Sequence, residues 1–238
     1  MALTPYYETK LGKLYHGDCL EVLSGVHSID AIITDPPFAF TGGISNGSSA
    51  NVSGQFFSFW WKAIAIKISE ILKPTASGFI WCDWKTAKII SDGFEPTTQT
   101  YNFFRISQML YHFRKMPGMG KPFRSSVDMV AYLRGPKHKN TDRIPENPAC
   151  LNMISDYWYY GKHEFHPAEK SPAMYERFIK WSTDEGDTII DIFFGSGAGG
   201  LSAERLNRKW IGCEISEKYC EIASKRIEKE AKQLKLFK

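Results

Sequence analysis

The segment DTIIDIFFGSGAGGLSAERLNRKWIGCEI, residues 187 to 215, restricts the fold more than any other stretch of the chain. An apolar run ends in a glycine-rich turn, a helix-forming stretch follows, and a second apolar run ends at Glu214. Two strands joined in this way pair in parallel through a right-handed crossover, and a parallel sheet needs helices over both faces. Upstream the alternation repeats. KLYHGDCLEVL reads as a short strand, a turn at Gly17-Asp18 and a helix start, and IDAIITDPPF as a strand stopped by two prolines. QFFSFWWKAIAIKISEILK reads as a helix ended by Pro74, and SGFIWCDW as the strand after it. SPAMYERFIKWST is a helix with Ser171 as N-cap and Pro172 at its first position. FRISQMLYHF and SVDMVAYLRG flank the basic, glycine-rich RKMPGMGKPFR and read as an antiparallel hairpin. The expected fold class is α/β: a doubly wound, mostly parallel sheet with an antiparallel hairpin edge, in a single domain over residues 1–238.

Two segments break the alternation. Residues 40 to 54 are rich in Gly, Ser and Asn and read as a mobile loop. Residues 136 to 165 are irregular, polar and aromatic. No apolar run approaches the roughly 20 residues that span a bilayer. The N-terminus MALTPYYETK lacks the basic and apolar regions of a signal peptide, so a cytoplasmic protein without a membrane partner is expected. None of the five cysteines forms a C-x-x-C pair, which predicts free buried thiols and no metal site. Net charge is only +4, but nine Lys and Arg stand against two acids between Arg105 and Arg143. A local basic belt on a near-neutral chain suits a polyanion.

The glycine-rich turn at 195 to 200 opens a helix, where backbone can approach a ligand closely. Glu214, at the end of the next strand, stands where an acid commonly takes ribose hydroxyls. There is no G-x-x-x-x-G-K-[ST] segment to cradle a nucleoside triphosphate, and Asp191 would repel a pyrophosphate but suits an ammonium group. A ligand with a ribose, no phosphates and a cationic amino-acid end fits these residues, and S-adenosyl-L-methionine is such a ligand. At the other end of the chain, the prolines of TDPPF hold Asp35 at a rigid, non-helical strand exit.

Asp-Pro-Pro-Phe at 35 to 38, GMGKPFRSSVDMVAYLRG in the middle, HPAEKSP at 166 to 172 and DIFFGSG at 191 to 197 together resemble the amino-methyltransferases of DNA. The order, catalytic motif before cofactor motif, is similar to the circularly permuted β group, and the likeness runs from Leu14 to Arg226. The resemblance implies a Rossmann-like class I methyltransferase fold, S-adenosyl-L-methionine as cofactor, and double-stranded DNA as substrate. It implies that Asp35 and the Pro36 carbonyl accept hydrogen bonds from the exocyclic amine of a flipped base, with Pro37 rigidifying the turn and Phe38 stacking on the base. By the same likeness Asp191, Phe193, Gly195, Ser196 and Gly197 line the methionine end of the cofactor. Glu214 takes its ribose, Asp18 its adenine amine, and His166, Lys170 and Ser171 lie near its carboxylate.

DNA contacts are expected from Arg114, Lys115, Lys121, Arg124, Lys137, Lys139 and Arg143, with residues 136–165 as a target-recognition insertion and the 40–54 loop closing over the DNA. Departures from the family pattern are Phe38 for tyrosine, Ile192 and Ser171 for proline, and Ala198-Gly199 for threonines. An Asp at the first motif position favours adenine N6 as the target. An N4-cytosine enzyme, an RNA adenine methyltransferase and a catalytically silent partner subunit stay open as alternatives. So do a homodimer through the aromatic helix at Phe56 to Trp61 and an accompanying restriction enzyme.

Overall fold

In the computed structural model the described residues are 4–37, 54–95, 104–113, 122, 125–138, 153–154 and 169–236. They form β1 (Tyr7–Glu8), β2 (Gly12–His16), α1 (Cys19–Ser24), β3 (Ile29–Thr34), α2 (Gly54–Ile71), β4 (Leu72–Cys82), α3 (Ala87–Gly93) and β5 (Arg105–Phe113). Then come β6 (Val127–Arg134), β7 (Met153–Ile154), α4 (Pro172–Ser182), β8 (Thr188–Asp191), α5 (Ala198–Arg205), β9 (Lys209–Glu214) and α6 (Glu217–Leu236). All strands join one sheet in the order β1-β2-β9-β8-β3-β4-β6-β5-β7. From β2 to β4 the pairs are parallel, while β6 runs antiparallel between β4 and β5.

Each central strand is apolar on both sides because each side meets helices. Ile32, Ile80 and Ile190 point into one core, against Val22 and Leu23 of α1 and Ile64 and Ile68 of α2. Their neighbours Ile33, Phe79, Trp81 and Ile189 point into the other, against Phe178, Leu201 and Ile227 of α4, α5 and α6. That is the doubly wound arrangement the alternation of apolar runs predicts, with the hairpin β5–β6 extending one edge. Of the described residues, no helix is long and apolar enough to cross a membrane. Cys19, Cys82, Cys213 and Cys220 are buried and free, while Cys150 lies outside the described residues.

Several elements differ from the sequence reading. The helix α2 ends at Ile71, and β4 begins at once and runs past Pro74, so the proline is not what stops the helix. Strand β4 tolerates it because the β3–β4 register shifts between Ile29 and Ala31, looping the Pro74 region off that ladder. A short helix, α3, follows β4; Asp83 Oδ1 accepts from the Thr86 amide at 2.7 Å and from the Lys85 amide at 3.0 Å, nucleating it. Within the segment read as irregular, Met153–Ile154 pairs in parallel with β5 as the outermost strand. Gly54, read as loop, opens α2, and the rest of the 40–54 segment lies outside the described residues.

Two strand glycines have a packing reason. The Phe194 ring stacks on Trp210 at 5.3 Å and 17°. A Cβ at Gly212 would come within 2.5 Å of Phe194, and one at Gly12 within 2.2 Å of Trp210. Gly212→Ala therefore overpacks the layer that supports the glycine-rich turn. It is expected to lower unfolding free energy by about 1–3 kcal/mol, read as a lower urea midpoint at unchanged slope.

Candidate active site

Because β2, β9, β8, β3 and β4 are parallel, their carboxyl ends share one edge of the sheet. That edge receives Gly17-Asp18, Glu214, Asp191, Thr34-Asp35 and Cys82 in spatial order. The antiparallel hairpin adds His112 from the end of β5 and Asp128 from the start of β6, opposite one another. Strand order reverses between β8 and β3, the topological switch point where open α/β sheets bind ligands. Asp35 and Asp191 stand on its two sides.

Strand β3 stops at Thr34 because Pro36 and Pro37 cannot donate to a ladder. Asp35 Oδ2 pairs with Lys170 Nζ at 3.2 Å, the two side chains being 19% and 12% exposed. Its Oδ1 is buried and has no hydrogen-bond partner among the described residues. Burial raises the Asp35 carboxyl above its ordinary pKa; Lys170 opposes this, and the charge of Asp128 adds to it. Asp128 in turn faces His112, Oδ2 to Nδ1 at 3.8 Å.

Asp191 is 1% exposed and held on three sides. Its Oδ1 accepts from the Thr34 hydroxyl at 2.8 Å and the Phe193 amide at 3.2 Å, and its Oδ2 from the Tyr175 hydroxyl at 3.0 Å. Burial pushes this carboxyl up to about 7, with Asp35's charge adding and the three hydrogen bonds opposing. The sequence reading did not single out Thr34 or Tyr175. Thr34 adjoins the DPP turn, the one available signal, whereas Tyr175 on an apolar helix face reads as core.

The glycine-rich turn is built around positive φ. Gly195 sits at φ +52° with open space where a Cβ would be, and its amide donates to Glu214 Oε2 at 2.8 Å. Glu214 Oε1 accepts from the Ser216 amide at 2.9 Å. The Gly17 amide donates to the Glu214 carbonyl at 3.0 Å, placing the Gly17-Asp18 turn beside this acid. Asp18 Oδ1 caps α1 by accepting from the Leu20 amide at 2.8 Å. Next to Glu214, Ile215 is 72% exposed, an apolar side chain on a polar rim that the sequence reading passed over. Phe193 lies against Trp60 of α2, centroids 5.7 Å apart. Ser171 caps α4, as expected, by accepting from the Ala173 amide at 3.3 Å.

Of the residues singled out in the sequence, Asp18, Asp35, Pro36, Pro37, Lys170, Ser171, Asp191, Phe193, Gly195, Ser196, Gly197 and Glu214 are described, on strand ends or turns along this edge. Lys170 touches Asp35, which the motif reading had not paired. Lys137 belongs elsewhere: β6 runs antiparallel, so the residues after it lie at the opposite edge, where the Lys137 amide donates to the Pro74 carbonyl at 2.9 Å. Phe38, His166, Arg114, Lys115, Lys121, Arg124, Lys139 and Arg143 lie outside the described residues.

The chain and its fold resemble known proteins. Residues 29–225 match the family model described as DNA methylase, which covers N6 and N4 enzymes. The chain is 31% identical to the type II methyltransferase M2.DpnII of Streptococcus pneumoniae, over 95% of this chain and 93% of that one. It is 29% identical to the type II methyltransferase M.BamHI of Bacillus amyloliquefaciens over 99% of its own length, but spans only 61% of that protein. Among solved structures, the M1.HpyAVI–SAM complex superposes with TM-score 0.70 at 24% identity, covering 91% of this chain and 99% of that one. The cytosine-N4-specific PvuII DNA methyltransferase superposes with TM-score 0.74 at 23% identity, covering 97% and 93%. A family match over most of the chain, on a sheet whose carboxyl edge gathers Asp35, Asp191 and Glu214, makes this protein a member of the N6/N4 DNA methylase family.

Proposed function

We propose that this chain transfers a methyl group from S-adenosyl-L-methionine to the N6 amine of an adenine turned out of duplex DNA. The observation that carries the reading is Asp35 Oδ1: a buried carboxylate oxygen at the switch point with no hydrogen-bond partner among the described residues. A buried acceptor of this kind costs stability unless a donor fills it, and an exocyclic amine is such a donor. The lone pair of an aromatic amine is delocalised into its ring, which makes it a weak nucleophile. Asp35 Oδ1 and the Pro36 carbonyl draw on its N–H bonds, concentrate density on nitrogen and stabilise the positive charge that develops there. Phe38, two residues on, is the stacking surface for the extruded base.

The cofactor fits the residues present. Asp191 offers a carboxylate for its ammonium group, Gly195 leaves open backbone, and Glu214 has acceptors for its ribose hydroxyls. Asp18 and the exposed Ile215 would lie on either side of its adenine ring. When bound, S-adenosyl-L-methionine supplies an electrophilic methyl group whose leaving group is a neutral thioether. Glu214→Gln is expected to weaken cofactor binding about tenfold by calorimetry, with kcat at saturating cofactor little changed. Asp rather than Ser at position 35 favours adenine over cytosine.

The test is incubation of the purified protein with unmethylated duplex DNA and cofactor, followed by digestion and mass spectrometry of the nucleosides. N6-methyladenine is the expected product. N4-methylcytosine would replace the base in this reading and keep the role of Asp35. Product only on RNA, or none with cofactor bound, would overturn the DNA-adenine assignment.

A further inference from the structure

Three consecutive residues ahead of α4 are tied to three different parts of the site. Ser171 caps the helix, Lys170 reaches Asp35 at 3.2 Å, and Glu169 meets Arg226 of α6. The Glu169–Arg226 contact is 2.5 Å between side chains only 11% and 13% exposed. The same guanidinium nitrogen donates to the Ser196 carbonyl at 3.3 Å and to its hydroxyl at 3.2 Å. One arginine therefore holds both the residue next to Lys170 and the middle of the glycine-rich turn.

Buried ion pairs add little net stability, because desolvation offsets their attraction, and what they fix best is geometry. Residues 169 and 170 lie just ahead of α4 and belong to no helix or strand of their own. Among the described residues, the groups that act on Asp35 are Lys170, Asp128 from β6, Asp191 from β8, Tyr175 from α4 and Cys82 from β4. Lys170 is the cation among them.

We propose that the Glu169–Arg226 pair is a positioning clasp, which anchors Lys170 against Asp35 and couples that contact to the cofactor-side turn at Ser196. The inference rests on Asp35 being the acceptor of the target amine. Arg226 touches no reacting atom in this scheme; it acts through Lys170. Opening the clasp lets the lysine withdraw, and Asp35 is left with burial and neighbouring acids, so it ionises only at higher pH. The acid limb of the pH–kcat profile moves up with it.

The test compares Arg226→Met, Glu169→Gln, Arg226→Lys and Lys170→Met by steady-state kinetics from pH 5.5 to 9. Arg226→Met is expected to lower kcat about 100-fold near neutrality, with a smaller change in KM and partial recovery at high pH. Arg226→Lys keeps the charge but not the fork and recovers part of the loss. In a Lys170→Met background, Glu169→Gln, which leaves the Arg226–Ser196 contacts in place, adds nothing further to the loss of kcat. If Arg226→Met does not fold, the isosteric Glu169→Gln carries the comparison. Carboxyl carbon NMR follows the ionisation of Asp35 directly, so the clasp is tested even if the native protein methylates no nucleic acid. A lower melting temperature with unchanged acid limb and unchanged Asp35 titration, or a Glu169→Gln loss of kcat additive with Lys170→Met, would overturn the clasp.

Discussion

Asp35→Ala is expected to reduce methyl transfer by about 10³-fold or more while cofactor binding stays near that of the native protein. The magnitude follows from what the substitution removes. A positioned acceptor or donor in a water-excluded site contributes about 10²–10⁴ in rate, because it meets charge as it develops and needs no reorganisation. Asp35 Oδ1 is such an atom, since it is buried and unbonded among the described residues before any substrate arrives. Cofactor affinity is spared because the main proposed cofactor contacts come from Asp18 after β2, from β8 and β9 and from the turn between them, whereas Asp35 follows β3. The variant also leaves the Lys170 ammonium in a largely buried site without its carboxylate, which lowers stability. Adding Lys170→Met to it removes that buried ammonium and should recover the stability but none of the activity. Thermal melts alongside single-turnover rates separate the two effects. Substantial methylation by a folded Asp35→Ala protein would remove Asp35 from the reaction.

Cofactor affinity is expected to fall about 100-fold between pH 8 and pH 5, and this dependence should vanish in Asp191→Asn. Asp191 has a carboxyl pushed up to about 7 by burial. Below that pH it is protonated and has no charge for an ammonium group; each unit costs about a factor of ten. Binding a cation lowers the carboxyl's pKa, so near pH 6.5 cofactor binding should release a proton, seen as a buffer-dependent enthalpy in calorimetry. The stability of the cofactor-free protein has the opposite sign. A pKa raised above the unfolded value means that the native state holds a proton the unfolded chain has lost. Stability from this group therefore declines as pH rises from about 4 to about 7 and is lowest above. Cofactor affinity that is flat across this range would separate Asp191 from the ammonium group.

Most of the parallel sheet is legible in the sequence because each strand is a continuous apolar run bounded by a turn signal, and the βαβ segment at 187–215 dictates its handedness. The site residues that end those runs, Asp35, Asp191 and Glu214, are visible for the same reason. What periodicity does not reveal is contact between distant segments. The Thr34 hydroxyl bonds Asp191 across 157 residues of sequence, and Arg226 reaches Glu169 across 57, with nothing local to mark either pair. A basic residue near the hairpin, such as Lys137, carries no sign in the sequence of which sheet edge its strand exits. The strand Met153–Ile154 is too short to show an alternation of its own.

The order of strands has a consequence for synthesis. Strand β2 lies near the start of the chain, yet its parallel neighbour is β9, with Gly12 opposite Trp210. Strand β3 likewise waits for β8 on one side. A nascent chain on the ribosome therefore leaves both apolar strands incompletely paired until β8 and β9 have emerged, a topology that folds slowly. Neither side of the switch point is complete before then, so a truncated translation product holds Asp35 without Asp191. Such a fragment has no finished cleft, and competence arrives only once β8 and β9 have been made.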